Sequence, residues 1–246
     1  MKTGVPCTFA LIIPAAGSGT RMGAERPKPF LEIAGKTILE HTVSRFLPFS
    51  GLKRVVIATS GPWVGFTSDL FKGSEVEDIL TVVEGGQERR DSVGLALEKT
   101  DAGHDLIAVH DAVRPLVTET EISDSLEMAR KHGAALPGIE CRDTLKLVGK
   151  NGIVEKTPDR SRFRLALTPQ VFRRELLVRA FEQSRRQSVS DDASMVENLG
   201  EPVMIVKGSE TNIKITWPSD LILAEKLMNE HGLLPGRKEI GKQIEE

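Results

Sequence analysis

Short apolar runs alternate with longer segments of helical periodicity along the first 140 residues of the chain. An apolar run of about four to eight residues predicts a strand buried on both faces, and a 3.6-residue period predicts a helix that buries one face. The predicted strands are Phe9–Ile13, Arg54–Thr59, Ile79–Glu84, Asp105–His110 and Ala134–Ile139. The predicted helices are 37–47 (capped by Thr37 and ended before Pro48), 88–99 and 119–131. This alternation indicates βαβ units, and therefore an α/β fold with a mostly parallel sheet and helices on both faces.

The pattern changes between residues 140 and 162. Two alternating runs, Thr144–Val148 and Ile153–Thr157, flank the turn Gly149–Gly152, which contains an Asn-Gly pair. Asn-Gly is typical of tight hairpin turns, so these residues predict a β-hairpin inserted into the α/β frame. The remaining patterns predict helices at 173–184, 192–198 and 219–228 and a strand at 202–207.

The composition excludes several classes of protein. The chain has 246 residues, 33 Lys and Arg, 35 Asp and Glu, and a formal net charge of −2, so it has no global positive field to attract nucleic acid. It contains no tyrosine, and no apolar run reaches the roughly 18 residues that a membrane-spanning helix needs. Cys7 and Cys141 lack the spacing of zinc ligands, which argues against a structural zinc site and favours a reducing, cytoplasmic setting.

A glycine-containing segment follows the first predicted strand directly. Gly17 and Gly19 tolerate positive φ and close backbone approach, so several N–H groups there can face one phosphate. Arg21 and Lys28 add two cations, and Lys28 is constrained between two prolines. The simpler alternative is an ordinary β–α turn with solvated charges, but the two basic residues favour a phosphate site. The spacing matches neither the Walker A motif nor the dinucleotide fingerprint.

Several blocks carry a resemblance to a known family. They are AAGSGTRM and PKPFLEIAGKTILEH near the start, then Glu84–Ser92, Val109–Pro115, Arg142–Thr144, Ala166–Gln170, Ser190–Asp192 and Asn212–Thr216. Together they resemble the cytidylyltransferase family that acts on methylerythritol phosphate and ribitol phosphate. The resemblance implies a Rossmann-like nucleotidyltransferase sheet with a β-hairpin arm. The late blocks favour 2-C-methyl-D-erythritol 4-phosphate as acceptor. The alternatives are a ribitol-5-phosphate cytidylyltransferase and a catalytically silent nucleotidyltransferase-like module that binds partners or nucleotide.

The implied reaction is attack by the acceptor's phosphate on the α-phosphorus of CTP, with release of pyrophosphate. An ionised phosphate oxygen needs no general base, so catalysis depends on positioning and charge neutralisation. By resemblance the catalytic cations are Arg21, Lys28, Arg160 and Lys214. Mg²⁺ or another divalent cation is expected to accompany the triphosphate. His110 is interpreted as a packed or hydrogen-bonded histidine at a strand end rather than as an acid or base.

The resemblance also assigns binding residues. The expected CTP contacts are Pro14, Ala15, Ala16, Gly17, Gly19, Gly86, Gln87, Ser92, Asp111, Ala112 and Arg114. The cytosine is expected to be read mainly by backbone groups, and Asp111 could face ribose, metal or substrate or simply cap its loop. The expected acceptor contacts are Thr144, Thr168, Ser190 and Thr216. Without the resemblance, Ser92 could lie on an exposed helix face, and Arg160 could belong to a solvated basic run.

The predicted hairpin has a particular meaning in this family. It resembles an arm that reaches a second subunit, so that Thr144 and Arg160 would complete the partner's acceptor site. A two-stranded hairpin is marginally stable alone, which makes burial against a partner physically reasonable. The expected organisation is a single domain over 1–246, a β-arm at about 140–162 for homodimerisation, and a flexible polar tail at 234–246.

Overall fold

A mixed sheet of eight strands forms the centre of the fold in the computed structural model, which describes residues 7–17, 26–101, 103–184 and 190–234. In chain order the strands of the described residues are β1 (Phe9–Pro14), β2 (Glu32–Ile33), β3 (Lys36–Thr37), β4 (Leu52–Thr59), β5 (Leu80–Glu84), β6 (Leu106–Val109), β7 (Ala134–Glu140), β8 (Leu147–Val148), β9 (Val154–Lys156), β10 (Arg164–Ala166), β11 (Gln170–Arg173) and β12 (Met204–Lys207). The helices are α1 (Ile38–Ser44), α2 (Val64–Leu70), α3 (Arg89–Leu97), α4 (Glu119–His132), α5 (Arg174–Gln183), α6 (Asp192–Glu197) and α7 (Pro218–Glu230).

The order of the strands creates a crevice beside β1. β1 pairs in parallel with β4 on one side and with β6 on the other, and β4 pairs in parallel with β5. The chain therefore leaves β1 toward one edge of the sheet and returns at β6 to build the other half. In open α/β sheets, ligands bind outside the carboxyl ends of the strands at such a reversal. The loops that follow β1, β5 and β6 meet at this point.

The second half of the sheet is mixed rather than parallel. β11 runs antiparallel between β6 and β7, β10 pairs antiparallel with the far end of β7, and β12 pairs in parallel with β7. A cis peptide bond joins Thr168 to Pro169 between β10 and β11. Proline has no backbone N–H to donate to a sheet, and Pro169 lies between the two strands. Before it, Ala166 of β10 pairs with Gly138 of β7, and after it, Val171 of β11 pairs with Ala135 of β7.

Alternating residues of the central strands pack into two hydrophobic layers, one on each face of the sheet. In β1, Leu11 packs into one layer and Ile12 into the other, and both side chains are fully buried. Helices cover both layers, as the apolar composition of the central strands predicts. A third, smaller cluster around Ile33 and Ile215 joins the segment after the glycine loop to the segment before α7.

The predicted α/β class, the mostly parallel sheet and the hairpin are confirmed. Thr37 caps the start of α1, as predicted, and its hydroxyl accepts a hydrogen bond from the backbone N–H of Glu40. β10 and β11 were not predicted, because their apolar residues are too few to distinguish a short antiparallel strand from a loop. α2 was also missed, since its sequence Val-Gly-Phe-Thr-Ser-Asp-Leu contains a glycine and a single strong helix former, Leu70.

The hairpin formed by β8 and β9 exposes apolar side chains. Leu147, Val148, Ile153 and Val154 are each at least half exposed, although a short isolated hairpin has little stability of its own. The predicted tail begins at residue 234, and residues 235–246 lie outside the described part of the chain. Among the described residues, no helix combines the length and apolar character needed to cross a bilayer.

Candidate active site

A cavity of about 470 Å³ opens at the carboxyl ends of β1, β5 and β6. Its lining comes from three loops of the parallel half of the sheet, together with two lysines from separate segments. The lining residues are Pro14, Ala15, Ala16, Gly17, Lys28, Pro29, Gly86, Gln87, Glu88, Arg89, Ser92, Asp111, Ala112, Val113 and Lys214. The cavity therefore combines most of the residues that the sequence assigns to CTP binding with two of the four expected catalytic cations.

The loop after β1 is held to the sheet where it enters the cavity. The backbone N–H of Ala15 donates to the carbonyl of Ala58 at 2.7 Å. A methyl group on Gly17 would meet no atom of the described residues within 4 Å, so the missing side chain leaves open space at the cavity. Gly17 does not use the positive φ that glycine tolerates, and its expected contact with a phosphate stays a prediction. Gly19 and Arg21 lie outside the described residues.

Lys28 is positioned by aromatic packing one turn away. It begins a short 3₁₀ turn, Lys28–Phe30, preceded by the extended backbone of Pro27. The ring of Phe30 stacks on Trp63 with centroids 4.7 Å apart and makes an edge contact with Phe66 with centroids 5.3 Å apart. Because the proline and the buried phenylalanine fix the backbone, Lys28 enters the cavity from a rigid segment.

The segment expected to read cytosine is held by one hydroxyl. Ser92 donates to the carbonyl of Glu88 at 3.2 Å and accepts from the backbone N–H of Gly86 at 3.1 Å. Ser92 is only 1% exposed, which excludes the alternative of an exposed helix face. A Cβ on Gly85 would lie 2.7 Å from that of Ala16, so glycine lets this segment approach the loop after β1. The segment expected to read cytosine and the loop after β1 are thus in direct contact.

Asp111 is the electrostatic centre of the cavity. Its carboxylate lies 3.0 Å from Lys214 Nζ, 3.1 Å from Arg114 Nε and 3.4 Å from Arg89 Nε. Burial alone would raise the pKa of Asp111, but the charges of Lys214, Arg89 and Arg114 outweigh burial and hold that pKa well below its usual range. Asp111 therefore remains ionised and holds three cations, of which Arg89 and Lys214 line the cavity and can face a polyanion.

Lys214 reaches Asp111 because the residues around it are anchored. Asn212 donates from its side chain to the carbonyl of Thr168 at 3.0 Å and to Glu121 at 3.1 Å, and its own carbonyl accepts from Arg114 at 2.7 Å. On the other side, the backbone N–H of Ile215 donates to the carbonyl of Val113 at 2.9 Å. The backbone is fixed, while the side chain of Lys214 is nearly half exposed and able to turn.

His110 belongs to a buried chain of hydrogen bonds. Its Nδ1 lies 2.9 Å from Thr168 Oγ1, and its Nε2 lies 3.1 Å from the carbonyl of Arg114. The carbonyl can only accept, so we assign the proton to Nε2, which leaves Nδ1 to accept from Thr168. Burial lowers the pKa of His110 to about 4, so the ring is neutral near pH 7. This arrangement agrees with the interpretation of His110 as a packed, hydrogen-bonded histidine.

Thr168 lies beneath the cavity rather than in its lining. Its hydroxyl accepts from the backbone N–H of Asp111 at 3.2 Å and, by the tautomer above, donates to His110. The hydroxyl has one acceptor site left for a substrate, but its existing bonds already place the Asp111 backbone. A contact with the acceptor stays a prediction.

The other expected acceptor residues are not among the residues that line this cavity within the single chain. Thr144 is exposed beside the hairpin, and Arg160 is exposed and donates to the carbonyl of Arg142. Ser190 immediately precedes the cap of α6, and Thr216 hydrogen-bonds the carbonyl of Lys214 at 3.2 Å. None of these four is among the lining residues, so their assignments stay predictions.

The described residues fit poorly as direct ligands of a divalent cation. They contain no cluster of three or more His, Cys, Asp or Glu side chains that could hold a metal. Asp111 already has cations at both carboxylate oxygens, so coordination by Asp111 would require one of them to leave. Any Mg²⁺ in this cavity would have to take its ligands largely from substrate phosphates and water.

Sequence reasoning missed the role of Arg89. It lies within the block Glu84–Ser92, yet the expected CTP contacts in that block are Gly86, Gln87 and Ser92. Arg89 contacts Asp111 and also the buried carboxylate of Asp192, 103 residues away along the chain. The available signal was a basic residue at the first position of a helix, where a positive charge is unfavourable without an acidic partner.

Comparisons with known proteins show the family to which this chain is similar. The family model described as 2-C-methyl-D-erythritol 4-phosphate cytidylyltransferase matches residues 9–230. A relative of that name from Symbiobacterium thermophilum is 41% identical over 92% of this chain and 95% of its own. The solved structure of the same-named protein from Thermus thermophilus is 35% identical, covers 90% of this chain and 99% of its own, and has a TM-score of 0.72. The chain therefore belongs to the 2-C-methyl-D-erythritol 4-phosphate cytidylyltransferase family.

Proposed function

We propose that this protein transfers CMP from CTP to 2-C-methyl-D-erythritol 4-phosphate. The products are 4-diphosphocytidyl-2-C-methyl-D-erythritol and pyrophosphate. The observation that carries the proposal is a single cavity, lined by Lys28, Lys214 and Gly17, in a chain that belongs to this family. Such a cavity can bring two phosphate groups together while cations neutralise their charge.

The reaction requires little covalent chemistry from the protein. An acceptor phosphate oxygen forms a new P–O bond to the α-phosphorus, and the bond to the β-phosphate bridging oxygen breaks as pyrophosphate leaves. The nucleophile is already ionised, so the neutral, buried His110 has no proton to remove. Catalysis depends on aligning two polyanions and stabilising the charge that builds on the phosphorus.

Lys28 and Lys214 are suited to different parts of this task. Lys28 extends from a segment fixed by Phe30, next to the loop after β1, so its ammonium can stabilise the α-phosphate from a preorganised position. Lys214 contacts Asp111 in the free protein, and its exposed side chain can move to an incoming phosphate. Arg21 is the proposed third cation at the α-phosphate.

Cytosine recognition is proposed to rest on backbone groups near Gly86. The Ser92 hydroxyl fixes this segment, leaving carbonyl and N–H groups to pair with the exocyclic amine and the ring carbonyl of cytosine. Mg²⁺ is proposed to bind with the triphosphate through phosphate oxygens, where it would offset negative charge. The free thiols Cys7 and Cys141 are compatible with a cytoplasmic location, which we also propose.

Pyrophosphate release tests the function directly. Purified protein with Mg²⁺ and CTP is expected to release pyrophosphate with methylerythritol phosphate and at least ten times more slowly with ribitol 5-phosphate. ATP, GTP and UTP serve as nucleotide controls. Faster release with ribitol phosphate would replace the proposed acceptor, and no release with either acceptor would favour a nucleotide-binding module.

We further propose a homodimer in which the β-arm completes the partner's acceptor site. The exposed apolar side chains of β8 and β9 support this proposal, because burial against a second copy would remove them from water. In this arrangement Lys28 and Lys214 come from one chain, and Thr144 and Arg160 come from the other. The single domain of 1–246, apart from its arm, would then form most of one active site.

Mixing two inactive variants tests the shared site. Refolded mixtures of Arg160→Ala and Lys28→Ala chains are expected to regain about one quarter of wild-type activity, since random pairing makes half of the dimers mixed and each has one intact site. A mixture of Lys28→Ala with Lys214→Ala is the control and should regain nothing, because both residues come from the same chain. Equal behaviour of the two mixtures would contradict a site shared through the arm.

A further inference from the structure

Arg89 connects the start of α3, which lines the cavity, to the start of α6. It is the first residue of α3, and its Nη1 lies 2.6 Å from the carboxylate of Asp192, the first residue of α6. Its Nε lies 3.4 Å from Asp111 Oδ1. One guanidinium therefore joins the segment proposed to read cytosine, the central carboxylate of the cavity, and the helix that follows Ser190.

Both ends of this connection are held independently. At α3, Glu88 and Asp91 form a reciprocal capping box, and the backbone N–H of Glu88 donates to Asp91 at 3.1 Å. At α6, the side chain of Gln170 donates to Asp191 at 2.7 Å and accepts from the backbone N–H of Ala193 at 2.9 Å. Asp192 lies between Asp191 and Ala193, so its carboxylate is held facing Arg89.

Arg89 supplies the positive charge between the carboxylates of Asp111 and Asp192. Asp192 is 1% exposed, and burial raises its pKa, with further increases from Asp111 and Asp191 that Arg89 opposes. Arg114 and Lys214 contact Asp111 Oδ2, whereas Arg89 contacts Oδ1 and is the bridge to Asp192. Loss of Arg89 would leave two carboxylates facing each other with no cation between them.

We infer that Arg89 is a positioning residue that couples the nucleotide side of the site to the acceptor side. It holds Asp111 at the oxygen that Lys214 does not use, so Asp111 stays in place when Lys214 turns to a phosphate. It also fixes the start of α6, and with it Ser190. This inference rests on the proposed function, because it assigns CTP to one side and the acceptor phosphate to the other.

Steady-state kinetics of Arg89→Gln and of its neighbour Arg90→Gln test the inference. Arg89→Gln is expected to lower kcat about 30-fold and raise the KM for the acceptor about tenfold, while the KM for CTP changes less than threefold. The CTP segment keeps its own capping box, which explains the unequal effects on KM. Arg90, which lies over the ring of Phe181 outside the cavity, is the matched control and should keep wild-type kinetics.

The double variant Arg89→Gln/Asp192→Asn separates positioning from general damage to the fold. It is expected to recover at least threefold in kcat over Arg89→Gln, because the unpaired buried carboxylate is gone. Arg89→Gln alone should lose further activity as the pH is raised, since burial and the charge of Asp111 raise the pKa of Asp192 and the variant lacks the cation that opposes them, so that Asp192 ionises opposite Asp111 as protons are removed. The double variant should lack this additional loss.

Three results would overturn the inference. They are equal kinetics for Arg89→Gln and Arg90→Gln, equal increases in the KM of CTP and of the acceptor, and additive effects of Arg89→Gln and Asp192→Asn. Additivity is also measured by thermal unfolding, which needs no substrate. If the wild type released no pyrophosphate, the proposed function would fail, while non-additive unfolding would still establish the Arg89–Asp192 coupling and additive unfolding would refute it.

Discussion

Replacing Lys28 by alanine is expected to lower kcat by about 10²-fold or more with little change in thermal stability. The ammonium group enters the cavity from a backbone fixed by Pro27 and Phe30, so no rearrangement is needed to place it at the α-phosphate. Preorganised charge of this kind acts mainly in the transition state, and its loss therefore reduces kcat more than it raises the KM for CTP. Pyrophosphate release at saturating CTP measures the effect.

The control for this variant is Lys36→Ala. Lys36 is an exposed lysine of β3 that is not among the residues lining the cavity, so it should keep wild-type turnover. Arg21→Ala is expected to show a loss as large as that of Lys28→Ala. Wild-type kcat in Lys28→Ala would remove this lysine from the catalytic cations and with it the central electrostatic argument.

Substitution of Asp111 by asparagine is expected to reduce both stability and activity. The substitution leaves the buried Arg114 and the partly buried Arg89 without their shared negative charge, which costs about 3 kcal/mol for a broken buried ion pair. For a chain of this size that loss corresponds to a decrease in Tm of about 6–12 °C. Activity should fall about 10²-fold, because the cations lose the group that orients them. Asp78→Asn, at an exposed acidic residue, is the control.

The pH dependence of unfolding checks the same assignment. The pKa of Asp111 is lower in the folded protein than its ordinary value of 3.8, so its stabilisation is present above that value and disappears as the pH falls below it. The Tm difference between wild type and Asp111→Asn should therefore be full at pH 7 and shrink below about pH 4. His110 adds a separate loss in both proteins: its folded pKa of about 4 lies below 6.5, so stability decreases as the pH falls through this interval. A Tm difference that did not change with pH would contradict the role of the Asp111 charge.

The parallel half of the fold was predictable because its signals are local. The strand at Phe9 and the helix capped by Thr37 each depend on apolar periodicity and on a nearby cap or turn residue. Those signals also placed the loop after β1 correctly at the cavity, since a short buried strand must end where the parallel sheet ends. The catalytic assignment of Lys28 and Lys214, in contrast, came from the resemblance to a family.

What could not be predicted depends on contacts between distant parts of the chain. The Arg89–Asp192 pair joins residues that only tertiary packing brings together, and neither residue type nor spacing indicates the partner. The same applies to Thr168, whose hydroxyl is used by His110 and by the Asp111 backbone. The sequence can suggest that a hydroxyl binds substrate, but only the folded structure shows the hydrogen bonds that this hydroxyl already makes within the protein.

The stacking of Phe30 on Trp63 provides the protein with an intrinsic optical reporter. The chain contains only two tryptophans, and the other, Trp217, precedes α7. In a Trp217→Phe background, all tryptophan emission would come from Trp63, an indole in contact with the residue that ends the Lys28 turn. Any movement of that turn on nucleotide binding can then be timed by stopped-flow fluorescence, without an attached dye.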